Sequence, residues 1–105
     1  MIRELTHDGR SYTIRVHHIE GPDPLNVILS ATSTADPDDI GYAGYTCVRT
    51  TTEHGWRWAQ VGDIVSDPSE CLEMVRDRTW NSATPDPEIV ALLEWARGHT
   101  PAGPQ

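Results

Sequence analysis

The chain has 105 residues and a formal net charge of −8, with sixteen acids against eight basic residues, all arginine, and neither lysine nor phenylalanine. That length suits one domain, burying about two thirds of its unfolded surface and needing neither metal nor disulfide. The missing lysine excludes Schiff-base chemistry, and the anionic balance opposes binding to a phosphate backbone, which relies on basic side chains releasing counterions.

The acid is unevenly placed: residues 1–20 balance at zero, whereas 21–65 and 66–105 each carry −4. Lysine and phenylalanine both have A/T-rich codons, so their absence points to a GC-rich bacterial or phage genome. The start, MIRELTHDGR, is polar and charged, without the apolar segment of a signal peptide. The longest apolar run, Ile89 to Leu93, is five residues; about 20 are needed to span a bilayer. A cytoplasmic protein is expected, with no membrane partner and with Cys47 and Cys71 as reduced, buried thiols.

In chain order, IRELTHDGRSYTIRVHHIE reads as a β-hairpin about Asp8-Gly9, a dipeptide favoured where a two-residue turn needs positive φ. That turn sets Leu5 opposite Tyr12 and Arg3 opposite Ile14. Alternation then places Tyr12, Ile14, Val16 and His18 on one face. GPDPLN is a turn, because its prolines are unfit for a central strand, and Asn26 to Thr34 reads as another strand. Asp36-Pro37-Asp38-Asp39 falls in a loop with at most one turn of helix, since Gly41 and Gly44 weaken any helix there.

Tyr45 to Glu53 and Trp56 to Ile64 form a second hairpin about His54-Gly55. A two-residue loop sets Cys47 opposite Gly62 and Arg49 opposite Gln60. One face then carries Tyr45, Cys47, Trp56, Trp58 and Ile64. The other carries Thr46, Val48, Thr50, Thr52, Arg57, Ala59, Val61 and Asp63.

From Ser66 the periodicity becomes helical. Asp67-Pro68-Ser69-Glu70 supplies an N-cap acid and a proline at the first helical position, and Asp86-Pro87-Glu88 repeats the signal. Leu72, Val75 and Thr79, joined by Cys71 and Met74, give the first helix a moderate apolar stripe, ending near Trp80-Asn81. Ile89, Leu92, Leu93 and Ala96 form the face of the second helix, which Gly98 ends. Residues 99–105 read as a flexible tail. Strands followed by helices predict an α+β fold. The expected form is an antiparallel four-stranded meander sheet of two hairpin-like pairs, with two C-terminal helices packed on one face, in one domain over residues 1–98.

Trp56 and Trp58 admit two readings. As core residues each indole buries on the order of 200 Å², and leaving both in water would forfeit several kcal/mol at about 25 cal/mol per Å². As a binding face they would join Arg57, since tryptophan and arginine are enriched at interface hot spots; a bulge at Gly55 would bring Arg57 round to their side. The histidines offer no HxxxH or HxH spacing, and His17 and His18, adjacent in a strand, point to opposite faces. No metal and no cofactor are expected. Nor is there a nucleophile elbow, a phosphate-binding loop or a dinucleotide fingerprint, so no catalytic residue is named.

The composition favours a small acidic, non-catalytic protein-binding module that docks on a basic partner surface, as inhibitors, immunity factors and accessory subunits do. Asp36, Asp38, Asp39, Glu70, Glu73 and Asp77 would steer the encounter, with Trp56 and Arg57 as anchors. The alternative is a small enzyme or ligand-binding domain with a pocket between sheet and helices, walled by His18, Tyr45, Arg49 and Trp58. A nucleic-acid partner is not expected, and exposed sheet edges leave a homodimer open.

Overall fold

The computed structural model describes residues 2–7, 9–21, 25–49, 56–77 and 85–98, and at positions 2, 3, 7, 48, 49 and 56 the backbone alone. Five strands, β1 (Ile2–His7), β2 (Arg10–Glu20), β3 (Asn26–Ser33), β4 (Ile40–Arg49) and β5 (Trp56–Val65), precede α1 (Pro68–Asp77) and α2 (Pro87–Gly98). The sheet is antiparallel and its spatial order is the chain order, β1 to β5.

The sheet therefore has five strands, not four. Two hairpin-like pairs leave no place for Asn26–Ser33, yet this segment is the central strand, hydrogen-bonded to β2 on one side and β4 on the other. Its run Asn26-Val27-Ile28-Leu29 is buried residue after residue, the pattern of a strand covered on both faces. Val27 and Leu29 belong to one core cluster with Tyr45, Trp58, Leu92 and Leu93. Ile28 belongs to a second, with Val61, Cys71 and Val75.

The helices are consequently divided between the faces. Strand β3 is apolar on both sides and β5 adds buried Ala59 and Val61 on the side away from Trp58. Each side needs a roof: α2 covers the Trp58 side and α1 the other. The two helices therefore do not pack together on one face, the arrangement the sequence suggests, because the sheet is apolar on both.

The first hairpin has the expected register, with Leu5 opposite Tyr12 and Arg3 opposite Ile14. Gly9 takes a φ of +76° between the paired His7 and Arg10; Asp8 lies outside the described residues. In the second hairpin Cys47 pairs with Trp58 and Arg49 with Trp56, four positions from the expected register. An even offset preserves the faces: Tyr45, Cys47 and Trp58 share one core cluster and Val61 belongs to the other. The segment 50–55, with the His54-Gly55 turn, lies outside the described residues, as do the stretch around Trp80-Asn81 and the tail 99–105.

Strand β4 begins at Ile40, so the glycines assigned to a loop are strand residues. Gly44 lies under α1, where a Cβ would overlap Cγ2 of Val75 and come within 3.4 Å of Cys71 Sγ. A strand glycine of this kind marks close approach of a neighbour, not a chain reversal. The helix starts fall where the sequence places them. Ser69 N–H donates to Asp67 Oδ1 at 2.9 Å, which satisfies an amide that a helix N-terminus otherwise leaves orphaned, and Cys71 N–H donates to the Asp67 carbonyl at 3.1 Å as the first regular helical bond.

Two irregularities re-aim side chains. Between β2 and β3 the register passes from Val16↔Leu29 to His18↔Ile28, leaving His17 as the extra residue of a bulge. His17 then meets the Tyr42 ring edge-on at 5.0 Å, and His18 Nε2 lies 3.1 Å from Glu20 Oε1, which in turn meets Arg76 of α1. Both histidines thus sit on the α1 side, not on opposite faces. Between β4 and β5 the pairs Tyr42↔Val65 and Gly44↔Val61 bracket a second bulge, where Gly62 has a φ of +69°.

Candidate functional site

On the α2 side of the sheet, α2 covers Trp58, Tyr45 and Val27 but leaves the neighbouring surface open. There the sheet presents Ala31, Gly41 and Ala43, and these small residues form the floor of a half-open cleft of about 530 Å³. Leu5, Tyr12 and Ile14 of the first hairpin form one wall; Ile89 of α2 and Ile64 of β5 form others. The second bulge places Ile64 here: a Cβ on Gly41 would lie 2.8 Å from Ile64 Cγ2. Ile64 is 65% exposed, the one large exposed hydrophobic side chain among the described residues.

Polar groups enter at the edges. Asp39, at the end of the β3–β4 turn, and Asp86, just before α2, both line the cleft, as do Gln60 and Tyr45. The turn is built locally: Asp39 N–H donates to the Asp36 carbonyl at 3.0 Å and Asp38 N–H to Asp36 Oδ1 at 3.1 Å, an Asx-type arrangement. This leaves Asp36, Asp38 and Asp39 all exposed. Burial, aided by the negative charge of Asp86 and then of Cys71, pushes the Tyr45 phenol up to about 12. Tyr45 therefore stays a neutral hydroxyl at ordinary pH. Among the described residues no arginine or histidine lines the cleft, and the charged side chains that do are the carboxylates of Asp39 and Asp86.

The sequence-proposed residues divide among several places. Of the six steering acids, Asp39 alone lines the cleft; Asp36 and Asp38 lie exposed in the same turn, and Glu70, Glu73 and Asp77 lie exposed on α1 across the sheet. Trp58 is a core residue, 4% exposed, and its Nε1 has no hydrogen-bond partner among the described residues. Arg57, next to it in sequence, is exposed. The side chains of Trp56 and Arg49 lie outside the described residues, though their backbones pair with each other. Of the proposed pocket walls Tyr45 lines the cleft, whereas His18 faces the α1 side in its bond to Glu20.

Sequence reasoning missed Asp86, Ile64 and Gln60 as neighbours. One signal was present: an isolated glycine inside a strand pattern marks a bulge, and Gly62 is that glycine. Among the described residues no group of three His, Cys, Asp or Glu side chains converges to hold a metal ion, and no helix is long and apolar enough to cross a membrane. Comparison with protein families, with curated proteins and with solved structures finds no match to this chain.

Proposed function

We propose that the protein is a non-catalytic binding module that docks on a basic surface of another protein, in the manner of an inhibitor, immunity factor or accessory subunit. The observation that supports this reading is the state of its surface acids. Asp36, Asp38, Asp39, Glu70, Glu73 and Asp77 are all exposed, and none is in an ion pair with a described residue. The described pairs use Glu20 and Glu94 instead. Carboxylates left without internal cations produce an outward field, which raises association rates with a cationic partner and is damped by salt.

The test is kinetic. The partner retained by the immobilised chain from its native host is purified, and its association rate is measured across ionic strength. The rate should fall steeply with salt. Replacing Asp36, Asp38 and Asp39 by Asn should slow association several-fold at low salt while leaving dissociation nearly unchanged. An association rate indifferent to both salt and these substitutions would refute the reading.

A second reading has its own observation. A cleft of about 530 Å³ is within the roughly 300–1,000 Å³ typical of small-molecule sites, which would suit a ligand-binding domain or small enzyme. A metabolite that raises the melting temperature of the wild-type chain, but not of an Ala31→Trp variant with a filled floor, would favour it.

A further inference from the structure

We propose that the partner docks in the cleft beside α2, and that the occupant is a lysine or arginine side chain carried on an apolar segment of that partner. This rests on the docking reading above and assigns it a place and a chemistry.

The cleft supplies what such a side chain needs at each depth. Its floor of Ala31, Gly41 and Ala43 and its wall of Ile14 are apolar, and long basic side chains bury their methylene stems on surfaces of this kind while the charged head stays near water. Asp39 and Asp86 stand where the head would emerge. Both carboxylates are exposed, and neither is in an ion pair with a described residue, so an incoming cation displaces no described internal partner. A guanidinium can meet a carboxylate through two parallel hydrogen bonds. At the rim Ile64 offers an apolar contact that the fold does not cover, and it would seat the residues flanking the cation.

Charge selects among occupants. A second copy of this chain brings the same −8 and is repelled at long range, and a nucleic-acid backbone is repelled in the same way. An acidic or purely apolar segment would leave two carboxylates to be desolvated without a counter-charge, which costs affinity. A basic, partly apolar segment meets both features of the cleft.

The experiment is a selection of random displayed peptides against the immobilised full-length chain. Enriched peptides should share a lysine or arginine next to leucine, isoleucine or tryptophan. Their affinity should drop about ten-fold or more in the double variant Asp39→Asn, Asp86→Asn, the loss expected when a charge-assisted contact is removed, and several-fold in Ile64→Ser, which removes the apolar rim contact without adding charge. Ala31→Trp should abolish binding. Ile64 is exposed and Asn retains capping ability at position 86, so these variants remain informative even where Ala31→Trp fails to fold. Absence of enrichment, enrichment of peptides without a basic residue, or unchanged affinity for the Ile64 and Asp variants would each overturn the proposal. A purified host partner that binds all these variants as tightly as wild type, with salt-dependent kinetics, would remove the cleft assignment and leave the docking reading standing. Salt-independent kinetics would remove the docking reading itself.

Discussion

Gly44 of β4 and Val75 of α1 approach so closely that a single added methyl on the glycine would overlap the valine. This contact sets how deep α1 sits on the sheet. Gly44→Ala should destabilise the protein by about 2 kcal/mol, the usual cost of overpacking a core. Val75→Ala alone should cost a similar amount by leaving a cavity. Combined, they should cost distinctly less than the two single changes together, because the second frees the space that the first demands. Urea denaturation of the three variants measures the coupling; simple additivity would show that α1 shifts freely.

Trp58 presents a different balance. Its ring is buried in the α2-side core while its Nε1 finds no partner among the described residues. Trp58→Ala should cost about 3–5 kcal/mol. Trp58→Phe should cost much less than its lost area suggests, because it also removes a buried donor whose missing hydrogen bond costs about 1–3 kcal/mol. Equal losses for the two variants would show that the indole nitrogen is satisfied.

Glu20 ties strand β2 to α1. Its carboxylate accepts from Arg76 Nη2 at 3.0 Å, from Asn26 Nδ2 at 3.1 Å and stands 3.1 Å from His18 Nε2. Burial by itself pushes Glu20 up, but the hydrogen bonds from Arg76, Asn26 and His18 and the arginine charge outweigh it, and the net shift is downward from 4.5. A carboxylate lowered in the folded state lends stability above its unfolded value, lost as pH falls through the folded value. Stability should therefore decline below pH 4.5, and Glu20→Gln should flatten that decline. Arg76 is 58% exposed, so Arg76→Ala should cost only about 1 kcal/mol near neutrality. Melting temperature against pH for both variants checks the assignment.

The alkaline limb should show the opposite sign. Burial, with a smaller effect of the Glu70 charge, pushes the Cys71 thiol from 9.0 up to about 11, and the Tyr45 phenol rises from 10.0 to about 12. Both groups are raised, so the stability they lend is intact below pH 9 and is lost as pH climbs through 9–11 for the thiol and 10–12 for the phenol. Cys71→Ala and Tyr45→Phe should each extend the stable range upward. At pH 8 Cys71 should react with a thiol reagent only as fast as the protein opens, which a labelling rate tracking global unfolding would establish.

What could be read in the sequence was local. The Asp8-Gly9 reversal set the first hairpin's register correctly because a two-residue loop leaves no slack. Asp67-Pro68 and Asp86-Pro87 located both helix starts because capping chemistry is confined to a few adjacent residues. What escaped depended on distant partners. Gly41 and Gly44 look like loop residues until Ile64 and Val75 are known to lie against them. The bulge at His17, which turns both histidines to the α1 side, has no sequence mark, and Gly62 marks the second only as one of several strand glycines, of which Gly41 and Gly44 make no bulge. The cleft joins Leu5, Ala31, Ile64 and Ile89 from four elements, and no single stretch encodes it. The charge of Asp39 is plain in the sequence; its place at an apolar cavity comes only with the packing.

Because the strands stand in the sheet in the order of their synthesis, no strand waits for a remote segment before pairing. Low contact order of that kind lets the sheet zip hairpin by hairpin on a growing chain. Both covers, however, are made last. A nascent chain thus holds a finished sheet whose two greasy sides are bare, then one shielded by α1 alone, until α2 clears the ribosome. That interval is when the molecule is most open to misassociation, and chaperone demand should be concentrated there.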